Sequence, residues 1–362
     1  MTVVSSTTDP GATRRVDRPR KIRVMTFDDW MSLGGSLLSS LALVDIVYEH
    51  LLDGSGTVGF LVVWYLTFLT IYGIVVAMSN PRTLVVDRLV TSALYAAAGL
   101  VIFALGTTVV YTFAKGIHAV AHVNFFTKTM AGVSPTAPLN QGGIFHAIVG
   151  TFVEVGIAIA VSVPLGIGTA VYMAEVGGRF SRLVRTVVEA MTALPEILAG
   201  LFVYVTLIVE FGLPKSGIAA SAAMSVTMVP IIARAAEVAL RVVPGGLREA
   251  SLALGASRWR TVRKVVLPSA RAGLATATIL GVARGVGETA VVLITSGASS
   301  FLTVNPVGSE MNSLPLYIFT SVKTGEPIAI SRAFGAASVL LAIVLLLFVI
   351  TRILARDKAV RR

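Results

Sequence analysis

The sequence predicts an all-α polytopic membrane protein, and two observations carry that reading. First, 55% of the 362 residues are hydrophobic and only 14% are charged, with a mean hydropathy of +0.84. A soluble domain of this length needs far more polar surface. Second, the apolar residues fall in blocks of about 18 to 25, enough for a helix to cross roughly 30 Å of hydrocarbon. A transmembrane β-barrel would instead show alternating segments of about ten residues, and the chain has none.

Taken in order, the chain opens with a polar stretch over about 1–30 that carries Arg14, Arg15, Arg18, Arg20, Lys21 and Arg23. No apolar core with a small-residue cleavage site follows directly, so a cleavable signal is not expected. The stretch reads as a basic cytoplasmic tail. Apolar spans follow at about 31–49, 58–78, 90–113, 146–174, 187–212, 216–240, 273–297 and 333–354. Asp45 weakens the first, and Pro164 is expected to kink the fourth. The segments between spans differ in charge. One set holds Arg82 and Arg88, then Arg179, Arg182 and Arg185, then the basic stretch from Arg241 to Arg271, then Arg352 to Arg362; the other holds Lys115, Lys128, Lys215 and Lys323, with Arg332 at the edge of its last segment. By the positive-inside rule this asymmetry predicts eight spans with both termini cytoplasmic, and it accounts for the net charge of +11 without nucleic acid. The segments at 114–145 and 298–332 are then external, and unusually long for connectors.

Several chemistries are excluded. The chain has no cysteine, hence no disulfide or thiolate site. His118 and His122 share an i, i+4 spacing but lack a third ligand nearby, so they read as a solvated pair and no metal or other cofactor is expected. There is no phosphate-binding loop of the G-x4-G-K-[ST] type, and no nucleophile–base set or H-E-x-x-H motif, so neither ATP hydrolysis nor membrane-embedded catalysis is expected of this chain. Gly281-x-x-x-Gly285 lies in an apolar helix and reads as a close-packing face.

The most informative stretch is 249–268 (EASLALGASRWRTVRKVVLP). Its first half is made of good helix formers and ends at Gly255, suited to a left-handed turn. Ser257 is placed to cap a second, basic helix that runs to Pro268. This helix–turn–helix resembles the E-A-A-x3-G-x9-I-x-L-P loop of ABC importer permeases. Glu249, Ala250, Gly255, Leu267 and Pro268 match, while Ser251 and Val265 replace an alanine and an isoleucine. The resemblance implies a coupling loop, within 241–271, that docks on an ATP-binding-cassette ATPase dimer. A basic loop held against anionic lipid is the alternative.

Further runs narrow the resemblance. They are 142–151 (GGIFHAIVGT), 163–170 (VPLGIGTA), 194–202 (LPEILAGLF) and 283–290 (ARGVGETA), and they look like phosphate permeases. The run 311–319 (MNSLPLYIF) is similar to the A-type permease subunits of the phosphate-specific (Pst) system. Glu196 departs from the expected serine, and Val291-Val292 from proline and leucine. The likeness covers about 90–355, which implies a six-helix permease core preceded by two additional N-terminal helices at 31–80, with a basic C-terminus at 356–362. It implies an importer subunit for inorganic phosphate in the bacterial plasma membrane, with a C-type permease subunit and an extracytoplasmic phosphate-binding protein as further partners. Another tetrahedral oxyanion, sulfate or molybdate, is the alternative substrate, and phosphate sensing is an alternative or second role.

Ionisable residues at membrane depth are costly and are functional candidates. Arg284 lies about eleven residues into its span, roughly 16 Å deep, and Glu288 follows on the same face. The pair reads either as a silent ion pair or as a pathway pair in which the planar guanidinium receives phosphate. The resemblance favours the second. Arg234 and Glu237, near the inner end of their span, read as a gating or structural pair. Glu154 is expected to face a cavity or another subunit, while Asp45 and Glu210 lie near span ends.

Overall fold

The computed structural model describes residues 27–51 and 56–356. Most of the predicted basic tail, and all but the first residue of the terminal stretch 356–362, lie outside the described residues. In chain order the elements are α1 (Phe27–Asp45), prolonged by a π turn over Ile46–Leu51; α2 (Thr57–Ser79); α3 (Arg82–Val120); α4 (Val123–Thr127); α5 (Phe145–Val171), prolonged by a π turn to Val176; α6 (Gly178–Ala193); α7 (Glu196–Val203), prolonged by a π turn to Glu210; and α8 (Gly217–Arg241). Then come α9 (Gly245–Ala253), α10 (Arg258–Thr261) with a π turn over Val262–Val266, α11 (Leu267–Val286), α12 (Ala290–Thr295), α13 (Leu314–Lys323) and α14 (Pro327–Arg356). There is no strand among the described residues.

Seven of these helical stretches are long and apolar enough to cross a membrane, and an eighth is reached if the bent pair Gly178–Ala193 and Glu196–Glu210 forms one span. The predicted all-α class holds, with two helices ahead of a six-helix core. The span read at 187–212 is corrected, since its two arms meet at 104°. Pro195 forces the bend: it excludes the helical region for Leu194, which is extended at φ −66° and ψ 130°. The span read at 273–297 is corrected too. It breaks between Val286 and Ala290, which leaves Glu288 outside helical geometry. α5, by contrast, runs through Pro164 without interruption. The two long connectors are less irregular than their sequence implied. α3 continues to Val120, α4 lies in the first connector, and α13 and the start of α14 occupy the second.

The chain divides into two compact units between Gly106 and Thr107. In the first, α1 packs on α2, around buried Phe68, Tyr72 and Val76. Phe68 stacks on Tyr72 at 5.6 Å between ring centroids, and Arg88 pairs with Asp29 at 2.9 Å. In the second, α8 lies against both α5 and α11. Met224, Met228 and Ile232 of α8 form the middle of its core with Val155, Val286 and Val291. A Cβ at Gly281 would collide with Ile232, and one at Gly285 with the Met228 sulfur at 2.5 Å. The predicted small-residue face is therefore what lets α11 approach α8.

The break after α11 frees backbone groups that lipid cannot satisfy, so they must find partners inside the protein. Met311 N donates to Ser296 O (3.1 Å), Ile218 N to Pro306 O (2.8 Å) and Ser216 N to Thr295 O (3.0 Å). Leu314 N donates to the Thr151 hydroxyl at 2.8 Å, which anchors the start of α13 to α5.

Candidate functional site

Three ionic constellations lie at successive levels along α8 and its neighbours. The middle one is built on the two broken spans. Arg284, in the last turn of α11, directs its guanidinium into a cleft lined by Thr192, Glu196, Ala199, Val226, Thr227 and Ile231, with a volume of about 210 Å³. Thr227 lies near the midpoint of α8, so the cleft opens at mid-helix level. Arg284 pairs with Glu196, and its Nη2 lies 3.9 Å from Glu288 Oε2. The Arg284 and Glu288 singled out in the sequence are neighbours, but the nearer carboxylate is Glu196, which stood out only as a departure from a motif. Arg284 and Glu196 keep 44% and 37% of their side-chain exposure, whereas Glu288 keeps 3%. The guanidinium is thus reachable, and Glu288 is a fixed charge behind it. Two carboxylates on one accessible arginine leave a local excess of negative charge, and of the two Glu196 is the more exposed.

The second constellation surrounds Glu237, whose side chain is 4% exposed. Arg185 reaches it at 2.5 Å, Arg241 at 2.8 Å and Arg234 at 3.7 Å. The predicted Arg234–Glu237 neighbours do meet, yet Arg234 lies closer to Glu189, at 2.9 Å. Arg185 enters from α6, 52 residues away in sequence, and no helix-local spacing could have shown it. The cluster joins α6 to α8 at the Arg241 end of α8.

The third is the loop between α8 and α11. α9 ends in a Schellman turn: Gly255 takes φ +79°, Gly255 N donates to Leu252 O at 2.9 Å, and Ala256 N to Ser251 O at 3.2 Å. The Ser257 hydroxyl then accepts from Arg260 N at 3.3 Å and caps α10, as its sequence position implied. Ser251 and Thr261 hydroxyls bond at 2.9 Å, closing α9 onto α10. Glu249, Ala250, Gly255 and Pro268 are exposed, and Leu267 is half-buried. Leu252 (44% exposed), Leu254 (89%) and Trp259 (64%) add an apolar surface to this face.

Arg248 was missed in the sequence and fixes the loop to the helices behind it. It donates to Glu175 Oε1 at 2.8 Å, to Val243 O at 2.6 Å and to Leu240 O at 2.9 Å. The end of α5, the end of α8 and the start of α9 are therefore tied together through one side chain. Glu154 differs from its expectation: it is fully buried in the core, not turned toward another subunit. Its carboxylate accepts from the Ser296 hydroxyl, and its backbone carbonyl accepts from Ser221 Oγ at 2.9 Å. Among the described residues no group of His, Asp and Glu is arranged to hold a metal ion.

Comparison with known proteins gives a consistent result. A family model described as binding-protein-dependent transport system inner membrane component matches residues 162–360. The phosphate transport system permease protein PstA 1 of Mycobacterium tuberculosis is 40% identical over 232 residues, 64% of this chain and 75% of that protein. The phosphate transport system permease protein PstA of Haemophilus influenzae is 32% identical over 249 residues, 67% of this chain and 84% of that protein. A chain from the crystal structure of a bacterial alginate ABC transporter, in complex with alginate pentasaccharide-bound periplasmic protein, superposes with a TM-score of 0.52 at 16% identity. It covers 75% of this chain and 96% of that chain, and the likeness is one of fold.

Proposed function

The chain belongs to the binding-protein-dependent transport system inner membrane component family, and from that premise we propose that it is the A-type permease subunit of an ATP-driven importer of inorganic phosphate. It is a multi-pass membrane protein of the bacterial inner membrane and not an enzyme, with ATP hydrolysis in a separate subunit. The observation that supports phosphate as cargo is the 40% identity, over 232 residues, to a phosphate transport system permease protein.

The geometry gives this reading a mechanism. Arg284 offers a planar fork of donors at mid-helix level, suited to two oxygens of one tetrahedral oxyanion. With no cargo, Glu196 occupies that fork. Incoming phosphate exchanges with Glu196, and the fixed charge of Glu288 keeps the complex weak enough to release. Glu288 also accepts a hydrogen bond from monobasic phosphate, which fully ionised sulfate cannot donate. At the far end, the exposed face of α9 and α10 docks on one ATPase of a dimer. Arg248 carries the movement of that face to α5 and α8. A C-type permease subunit completes the pathway, and an extracytoplasmic phosphate-binding protein delivers the cargo.

The test is uptake of radiolabelled phosphate by the assembled system, with sulfate and molybdate as competitors. Phosphate uptake should resist both competitors, and Arg284→Lys should impair it at matched membrane abundance, because an ammonium cannot make the planar two-point contact. Uptake at the parent rate in Arg284→Lys removes the pathway role. Preferential uptake of sulfate or molybdate removes phosphate.

A further inference from the structure

Arg332, in the second turn of α14, is 1% exposed and is paired differently from the half-buried arginines. Arg88, Arg185 and Arg248 each meet a carboxylate. Arg332 meets none among the described residues. Its guanidinium donates only to backbone carbonyls: Nη2 to Ala137 O (2.7 Å), Pro138 O (3.0 Å) and Gln141 O (3.0 Å), and Nη1 to Pro135 O (3.3 Å). Its Nε–H makes no hydrogen bond among the described residues. Four carbonyl dipoles hold the cation in place, but they do not neutralise it, and a buried charge without a counter-ion is costly.

This guanidinium forms part of the wall of a cavity of about 210 Å³, shared with Ser300, Asn312, Tyr317, Thr320 and Ser321. Of its hydroxyls, Thr320 already donates to Leu316 O and Tyr317 O, and Ser300 is the one left to donate to an anion. The wall also holds one orphan acceptor, since Asn312 Oδ1 is buried with no hydrogen-bond partner. A cation, the Ser300 hydroxyl and one unfilled acceptor complement an oxyanion that itself carries a proton. Fully ionised sulfate has no proton to offer Asn312.

The cavity stands at the opposite end of the bundle from the α9–α10 loop. At its end of α5, His146 packs edge-to-face on Tyr317 at 5.7 Å between ring centroids. At the other end of that helix, Glu175 is held by Arg248. Thirty residues of helix rise separate the two ends, about 45 Å, with Arg284 and its cleft between them.

We propose that the Arg332 cavity is a second oxyanion site, specific for a protonated phosphate group, that receives cargo at the end of the bundle remote from the α9–α10 loop before it reaches Arg284. The identity of the oxyanion rests on the phosphate reading above; the site rests on Arg332, its carbonyl cradle and the cavity wall. The same phosphate chemistry is available from free inorganic phosphate and from a lipid headgroup, although a phosphodiester lacks the proton for Asn312.

Removing Arg332 would also release the segment 135–141, so the informative variant is Ala329→Asp. Ala329 lines the same cavity, one turn before Arg332, and an acidic residue in the first turn of α14 suits the helix N-terminus. The new carboxylate occupies the guanidinium and leaves the cradle intact. Binding of inorganic phosphate is measured on the full chain in nanodiscs of phosphatidylcholine, for the parent, Arg284→Met and Ala329→Asp. Arg284→Met should retain a phosphate site that Ala329→Asp weakens by about tenfold or more, with sulfate a poor competitor. Loss of that site on adding phosphatidylglycerol would assign it to a headgroup and not to cargo, whereas indifference to the lipid assigns it to free phosphate. Equal phosphate binding by parent and Ala329→Asp overturns the site. A parent system that does not import phosphate overturns the cargo instead, and the two failures are read in separate experiments.

Discussion

At the scale of single residues, the exchange between Glu196 and cargo on Arg284 is the step most open to test. The pair is more than a third exposed on both sides, and exposed pairs of this kind contribute about 0–1 kcal/mol. Glu196→Gln should therefore lower the apparent KM for phosphate by up to about fivefold, with little effect on the amount of protein in the membrane. A raised KM would mean that Glu196 positions Arg284 and does not compete for it. Part of this was legible in advance. An Arg and a Glu four residues apart in an apolar span read as sharing a face, and the two lie 3.9 Å apart although the helix ends at Val286, before Glu288. No such spacing marks Glu196, because it reaches Arg284 only through the bend at Pro195.

At the scale of elements, the loop from α9 to α10 was the clearest feature of the sequence, because each of its turns is closed locally. Gly255 at positive φ and Ser257 as a cap are decided by residues within a few positions. Gly255→Val should strain the Schellman turn by about 1 kcal/mol or more and reduce phosphate-stimulated ATP turnover in the assembled system, with the spans still inserted. Arg248→Met should have a stronger effect of a different kind. It cuts the link from α9 to Glu175 and to the last carbonyls of α8, so ATP turnover should persist while phosphate uptake falls. Coupled uptake at the parent rate in Arg248→Met would show that the loop transmits without this bridge. The partner Glu175 lies 73 residues from Arg248, and no local pattern marks it.

At the scale of the whole molecule, the distribution of basic residues makes a prediction about sidedness that the fold itself does not carry. We propose that the α9–α10 loop and both termini are cytoplasmic, with the segments 114–145 and 298–332 outside. The chain has no cysteine, so single cysteines report cleanly. Ser134→Cys and Ser309→Cys, both at exposed positions, should react with an impermeant thiol reagent in intact cells, and Arg258→Cys should react only after lysis. Labelling of position 258 in intact cells would reverse the orientation and place the docking face on the wrong side for an ATPase. The same orientation puts the Arg332 cavity on the side from which a binding protein delivers cargo.

The sequence by itself determined the class, the helices ahead of the core and the chemistry of the loop. Hydropathy over about twenty residues decides membrane crossing, and capping and turn residues act within one turn of the chain. It also marked Gly281 and Gly285 as a close-packing face, since only glycine lets two helices approach so near. What only the tertiary structure decided are the bend at Leu194, the break around Glu288 and the partners of each buried charge. Those depend on contacts across long separations: Arg185 with Glu237, Arg248 with Glu175, Arg284 with Glu196, and Arg332 with the carbonyls of 135–141. A charge inside a membrane must be met by something, but the chain's linear order does not say by what. Folding chooses the partner, because whichever group the packing of α5, α8, α11 and α14 brings within reach is the one that offsets the cost of burial.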